Sequence, residues 1–358
     1  MKKNINNFQN NKIALIVTTG RTGSDYLNCC LDELEGVMNF CGKFNYHQFF
    51  LNKRQKKDKF ELINAFIKKY KFLFSYNKEE NIDTKVNLKK FKKNFIKISS
   101  SQYIDRKQFL FLLYKAYHIT LGRKFKNVKI LIHHSHGINE TIKVLKDFPN
   151  SKLLITIRHP LANLKSGLSN WFKYDKKRIS MDHVFTYIYR IRQDLKLLLK
   201  LRNKKLFIKL EEANLIKTKK KICKFLNIKL QKKIYKATIA GKIWHGDSLS
   251  LNKSKKGEYL KTTQINEWIS YFTKNEILLL SFIYKDYQNF GYKLNNLKLF
   301  EKFKCFFLIF NIFSFERYVF NFRKANFFLN IKYFFLRIFY LLLIILKLDF
   351  LVKNKHLS

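Results

Sequence analysis

Ile13-Ala14-Leu15-Ile16-Val17 runs into Thr18-Thr19-Gly20-Arg21-Thr22-Gly23-Ser24 and then into Tyr26-Leu27-Asn28-Cys29-Cys30-Leu31-Asp32-Glu33-Leu34. The first run is short, apolar and β-rich, as in a parallel strand buried on both faces, and the last has apolar residues at helical spacing. The stretch between them is therefore a strand-to-helix loop. Gly20 and Gly23 let its backbone turn tightly and approach a ligand, Thr22 and Ser24 add hydroxyls, and Arg21 adds a charge-assisted donor. Free N–H groups at the helix start complete an anion-binding arrangement. A strand, a glycine turn and a Ser or Thr cap also begin ordinary helices that bind nothing, so the loop alone leaves both readings open. It lacks the Lys-Ser/Thr pair after its second glycine, which disfavours an ATPase or GTPase P-loop.

The arrangement recurs. Lys152-Leu153-Leu154-Ile155-Thr156-Ile157 reads as a strand, Arg158-His159-Pro160 stands at its carboxyl end, and helix-like sequence follows from Leu161. Ligands in open α/β sheets collect beyond the carboxyl ends of the strands, so two basic strand-end loops suit one crevice. Arg158 would grip a phosphate, and Ser166, roughly two helical turns on, would reach the same group. The expected fold is α/β, a three-layer α/β/α arrangement around a central parallel sheet.

This pair of loops resembles the two phosphate sites of sulfotransferases that use 3′-phosphoadenosine 5′-phosphosulfate (PAPS). The resemblance implies that Arg21, Thr22, Gly23 and Ser24 cradle the 5′-phosphosulfate and that Arg158 and Ser166, eight positions apart, bind the 3′-phosphate. Three later stretches are similar to the family in order. Lys204 to Glu212 is like its strand ending in an acidic pair, and Lys221 to Ile228 like its short helix closing in Phe-Leu-Gly. Lys255-Lys256-Gly257, with Trp268 and Tyr271-Phe272-Thr273, is like its late loop over the 3′-phosphate and the tryptophan helix after it. That adds Lys256 and Gly257 to the implied donor site. The resemblance covers roughly residues 12 to 295. Two departures stand out: Arg21 occupies a position where many soluble members have Lys, and Asp25 one where Thr is frequent. A carboxylate repels phosphate, so Asp25 is expected to face away and to favour the helix N-terminus.

The implied chemistry is in-line transfer of a sulfuryl group from PAPS to a hydroxyl or amine, needing a base, a charge clamp and alignment but no metal. Base candidates cluster in Leu131-Ile132-His133-His134-Ser135-His136, at another strand end. The family's catalytic His stands twenty-two residues before its 3′-phosphate Arg, which implies His136. Strand alternation puts His134 on the same side, as second candidate, and His133 on the other. Two other readings stay open for the triplet: hydrogen-bonded structural histidines, and a metal site, which lacks a matching Cys or His pattern elsewhere. His47, in Gly42 to Phe50, is a substrate-site candidate or an aromatic-packed structural histidine; Trp171 and Tyr174 either contact the adenine or pack in the core.

The chain has 358 residues, 47 % of them hydrophobic, enough for a substantial core, and only 2 Pro and 11 Gly, too few for low-complexity linkers. Residues 1–11 are a polar segment, 12–295 the catalytic domain and 296–358 an apolar, basic helical tail. Within the domain, Lys-rich helical patches over 52–125, broken by polar Asn77 to Lys93, read as an insertion on the acceptor side. The first residues lack the apolar run of a secretory signal, and Cys29, Cys30, Cys41, Cys223 and Cys305 are odd in number and unpatterned. A cytoplasmic location with free buried thiols is expected. Net charge is +47, from 72 basic and 25 acidic side chains. Lys, Asn, Ile and Phe are enriched together, as adenine- and thymine-rich coding would give, so nucleic acid is not the expected partner; anionic substrates and anionic membrane surfaces are.

In the tail, Phe306 to Phe310 and Ile338 to Leu346 are nearly all apolar, while Lys304, Asn311, Ser314 and Asn321 form a narrow wet stripe. Between Arg337 and Lys347 the apolar stretch is too short for a confident span. Helices lying on the inner membrane face suit the mixture of aromatics and lysines, and packing on the catalytic domain or homo-oligomerisation is the alternative. The expected activity is PAPS-dependent sulfation of a carbohydrate or glycolipid. A non-catalytic basic membrane- or nucleic-acid-binding protein and an atypical nucleotide kinase are the other readings.

Overall fold

The computed structural model describes residues 13–40, 42–135, 137–174, 181–247, 257, 268–314, 316, 327–346 and 348, with the backbone alone at 170–174, 181–186 and 329. The chain divides into two compact units. Of the described residues, those within 13–18, 22–157 and 201–257 form one and those within 19–21, 158–200 and 268–348 the other.

The first unit is built on a five-stranded, all-parallel sheet. Strand β1 (Ile13–Thr18) is buried along its whole length, as its unbroken apolar run requires, and leads through the glycine loop to helix α1 (Ser24–Cys30) and the short edge strand β2 (Val37–Asn39). The insertion follows with helices α2 (Lys59–Tyr70), α3 (Leu88–Ile98) and α4 (Arg106–Thr120). Each starts on a side-chain cap: Asp58 accepts from the Phe60 and Glu61 amides, Asn87 from Lys90, and Asp105 forms a capping box with Gln108. Helix α3 begins inside the stretch read as polar, because Asn87 caps it and Phe91 and Phe95 supply a buried stripe. The insertion closes on an aromatic core in which Phe40 stacks on Tyr117 at 4.0 Å and meets Phe44, Phe66, Phe74 and Phe91 edge-on.

Strand β3 (Ile130–Ser135), helix α5 (Ile138–Asp147) and strand β4 (Lys152–Ile157) return the chain to the sheet. After helices α6 (Pro160–Tyr174) and α7 (Met181–Lys200), strand β5 (Lys205–Lys209) and helix α8 (Ile216–Leu226) complete the unit. Strand order is β2-β3-β1-β4-β5. Alternation sorts the side chains: Ala14, Ile16, Ile130, Ile132, Leu154 and Ile208 share one core with residues of α1 and α8. Asn227 ends α8 in the left-handed conformation (φ 59°), the position for which the sequence resemblance calls for Gly. The expected α/β class with a central parallel sheet is the observed one. Its topological switch lies at β1, whose neighbours are β3 and β4; Thr18 pairs with Thr156, so the loops leaving β1 and β4 start side by side.

The second unit packs α6 and α7 together with α9 (Lys274–Ile283), α10 (Leu299–Leu308) and α11 (Phe327–Ile345). Arg192 donates to the Ile283 carbonyl, and the Tyr284 and Tyr287 hydroxyls donate to the Ile188 and Ile191 carbonyls of α7. The tail is tied in by polar contacts. Arg337, read as flanking an apolar stretch too short to span a bilayer, is fully buried: its Nε donates to both Glu316 oxygens at 2.8 and 2.9 Å and its Nη atoms to the Ile309 and Asn311 carbonyls, while Glu276 accepts from Ser314. Among the described residues, no helix is long and apolar enough to cross a membrane. Cys29, Cys30, Cys223 and Cys305 are buried thiols outside any disulfide among the described residues, while Cys41 lies outside those residues.

Candidate functional site

The loop after β1 owes its shape to three left-handed residues in four, Gly20 (φ 87°), Arg21 (φ 41°) and Gly23 (φ 80°). Such sequences turn successive N–H groups toward a common point and form anion-binding concavities. Gly23 is required twice, since a Cβ there would also stand 2.3 Å from Leu210 Cδ1. Thr22 is buried. Its hydroxyl lies 2.7 Å from both Thr18 Oγ1 and Thr156 Oγ1 and so ties the loop to β1 and β4. Ser24 is buried at the head of α1.

In the second unit Arg21 and Arg158 act on one buried group, the Tyr187 hydroxyl, which donates to Asn163 Oδ1 at 2.8 Å. Burial pushes this hydroxyl up, while Arg21, Arg190 and Arg158 pull it down. Tyr187 is seated on two glycines: a Cβ at Gly20 would meet its ring at 3.4 Å, and one at Gly167 would stand 2.2 Å from Cε1. Ser166, half-buried, precedes that glycine on α6. Asn163 is fully buried, and its Nδ2 has no hydrogen-bond partner among the described residues. Sequence reasoning did not single out Tyr187, Gly167 or Asn163; the one available signal was a glycine inside a helix. His159 stacks on Trp268 at 4.5 Å, so that tryptophan sits in a turn against the Arg158 loop. Gly257, left-handed at φ 70°, has its carbonyl bonded by the Ala237 amide. Lys256 and His136 lie outside the described residues, as do the side chains of Trp171 and Tyr174.

The two described histidines of the triplet point to opposite faces, as alternation requires. His133 is buried beside Tyr114, whose hydroxyl lies 2.9 Å from its Nδ1; burial, with His134 and His47 nearby, lowers it to about 3 and keeps it neutral. His134 Nδ1 stands 3.5 Å from Asp25 Oδ1. Asp25 also pairs with Lys43 Nζ at 3.0 Å, so its charge is answered within the first unit. Burial would lower the Lys43 ammonium, but Asp25 and Glu80 outweigh it and push it up to about 12. Glu80 is buried, and its Oε2 has no hydrogen-bond partner among the described residues. Burial first, then Asp25, raise its carboxyl to about 8 against the pull of Lys43. Asp25 thus pairs with both Lys43 and His134, and the buried Glu80 carboxyl lies in the field of Asp25 and Lys43. Lys43 and Glu80 carried no sequence signal in a lysine-rich chain.

His47 is elsewhere. Its Nε2 stands 3.2 Å from Asp147 Oδ2, in a site where Arg106 grips the same carboxylate with two bonds (2.6 and 2.8 Å) and the Tyr46 hydroxyl adds a third. Burial would raise Asp147, but His47, Arg106 and Tyr46 outweigh it and hold it at about 2. The arrangement ties α5 to α4 and the turn carrying His47. Among the described residues no group of three or more His, Cys, Asp or Glu is placed to hold a metal.

No known family profile matches the chain, and no curated protein matches its sequence. Solved structures similar to it are sulfotransferase domains. One is the sulfotransferase domain from the curacin biosynthetic pathway, with 16 % identity and a TM-score of 0.47 over 80 % of this chain and 99 % of that one. A second is the sulfotransferase domain of the Synechococcus PCC 7002 olefin synthase, with 14 % identity and a TM-score of 0.44 over 80 % and 97 %. A third, a Mycobacterium avium sulfotransferase, has 10 % identity and a TM-score of 0.34 over 63 % and 66 %.

Proposed function

We propose that the protein is a sulfotransferase that moves a sulfuryl group from PAPS to a hydroxyl or amine of a carbohydrate or glycolipid. The observation that carries the reading is that β1 and β4 pair to their ends at Thr18 and Thr156, so that Arg21 and Arg158, 137 positions apart in sequence, stand on neighbouring loops, and both, with Arg190, pull down the buried Tyr187 hydroxyl. An ordinary helix cap has no use for two guanidiniums there; a doubly phosphorylated nucleotide does. The donor chemistry also fits the left-handed backbone at Gly20, Arg21 and Gly23, and the Asn163 Nδ2, which has no hydrogen-bond partner among the described residues.

PAPS supplies the transferable sulfuryl group on a phosphate leaving group. Arg21 and the amides around Gly23, with Ser24, would bind the 5′ end and neutralise charge growing on the departing phosphate. Thr22 would act through the backbone it anchors, its hydroxyl being taken by Thr18 and Thr156. Arg158, Ser166, Lys256 and Gly257 would hold the 3′-phosphate. His136 is the proposed base, with His134 second; His134 has Asp25 at 3.5 Å to stabilise an imidazolium once a proton arrives. His47 remains a proposed acceptor contact, made through the Asp147 site. The proposed setting is the cytoplasm, at a membrane face.

The test is turnover of PAPS against a panel of polysaccharides and glycolipids. Acceptor-dependent release of 3′-phosphoadenosine 5′-phosphate, reduced in His136→Ala, is expected. Magnesium-dependent phosphate transfer from ATP in its place would overturn the reading in favour of a kinase.

A further inference from the structure

Helix α10 buries Cys305 and Leu308 and turns Phe300, Phe303 and Phe307 outward, with exposures of 80, 65 and 66 %, and Phe310, in the turn that follows, is 49 % exposed. The spacing of three and four residues from Phe300 to Phe303 to Phe307 makes one helical face. Helix α11 repeats the pattern. Arg337, Leu341 and Ile344 face inward, while Phe328, Phe335 and Phe339 stand exposed, with Lys332 in the same row. Single exposed apolar side chains are ordinary on a protein surface, but rows of exposed phenylalanine mark an interaction surface.

The charge around the rows selects the occupant. Lys298, Lys302, Lys304 and Lys332 are exposed beside the phenylalanines. From Asn296 onward the sequence has eleven basic and three acidic side chains. Of those acids, Glu316 is neutralised by Arg337, and the Glu301 carboxylate accepts from the Lys298 amide. A second copy would set lysine against lysine in a chain of net charge +47, a repulsion that works against self-association. An anionic bilayer offers both complements, acyl chains for the rings and phosphates for the ammonium groups.

We propose that the outward faces of α10 and α11 dock on an anionic lipid surface, with the phenylalanines at the boundary of headgroups and acyl chains and Lys298, Lys302, Lys304 and Lys332 at phosphate level. The helices lie on the bilayer and do not cross it. The inference rests on exposure and charge alone and stands whether or not the donor is PAPS.

The test is co-sedimentation of the full chain with vesicles of phosphatidylcholine and of a phosphatidylcholine/phosphatidylglycerol mixture. Binding to the mixture that weakens with salt is expected, with little binding to phosphatidylcholine. Phe303→Ser/Phe307→Ser, at positions that support no core, should keep the thermal transition and lose ~10-fold or more in vesicle affinity. Lys302→Gln/Lys304→Gln should lower affinity for the mixture alone. Absent binding, or binding that the phenylalanine changes leave intact, would overturn the proposal. So would a concentration-dependent dimer that those changes abolish while vesicles fail to bind, which would assign the face to a second copy.

Discussion

Replacing Gly23 by Ala separates the two demands that the loop after β1 makes on its second glycine. At φ 80° any side chain meets the left-handed penalty, about 1–2 kcal/mol. The new Cβ would in addition stand 2.3 Å from Leu210 Cδ1 at the end of β5, and relieving such an overlap costs about 1–3 kcal/mol. Gly122, just past α4, provides the control: it is left-handed at φ 73°, and a Cβ there meets nothing within 4 Å. Denaturant titration should therefore show Gly122→Ala losing only the backbone share and Gly23→Ala losing about 2–5 kcal/mol, since the two contributions add. The excess of Gly23→Ala over Gly122→Ala measures the closeness of loop and β5. Equal losses at the two positions would refute the argument that the loop needs its second glycine for close approach.

Two further substitutions probe buried charge. The Glu80 carboxyl, raised to about 8 from an ordinary 4.5, stabilises the fold while protonated and costs stability once ionised, so wild-type stability should fall as pH rises from about 4.5 to above 8. Glu80→Gln should remove up to about 5 kcal/mol of that slope, read by thermal denaturation across pH; a slope unchanged by the substitution would show the carboxyl to be ordinary. Arg337→Met strands the buried Glu316 carboxylate and should cost about 3–5 kcal/mol, whereas Arg337→Met/Glu316→Gln should recover much of it. Equal stability of the single and double variants in urea would argue against the buried pair.

Much of the framework was legible because it depends on local pattern. The apolar runs at 13–17 and 152–157 are strands β1 and β4, and alternation along β3 separates His133 from His134. Long-range pairing was not legible. Asp25 was expected to face away from the phosphate and to favour the helix N-terminus, but its partners could not be read from the sequence; it pairs with Lys43 and His134, eighteen and 109 positions away. Glu80 sits in a lysine-rich polar stretch, and only folding strips it of water. Tyr187 gave no sign because its role comes from two glycines distant in sequence. Arg337 looked like the end of an apolar segment because its partner, Glu316, lies in another part of the tail. The aromatic rows of α10 and α11 were visible as composition, but which rings face out is set by the packing of Cys305, Leu308 and Leu341.

The most direct test of the central claim is ligand-induced thermal stabilisation in moderate salt by 3′-phosphoadenosine 5′-phosphate, ADP and ATP, on wild type and on Arg158→Ala. A PAPS site requires stabilisation that is selective for the 3′-phosphorylated nucleotide and lost with Arg158. Equal stabilisation by all three, or selectivity that survives Arg158→Ala, would contradict it.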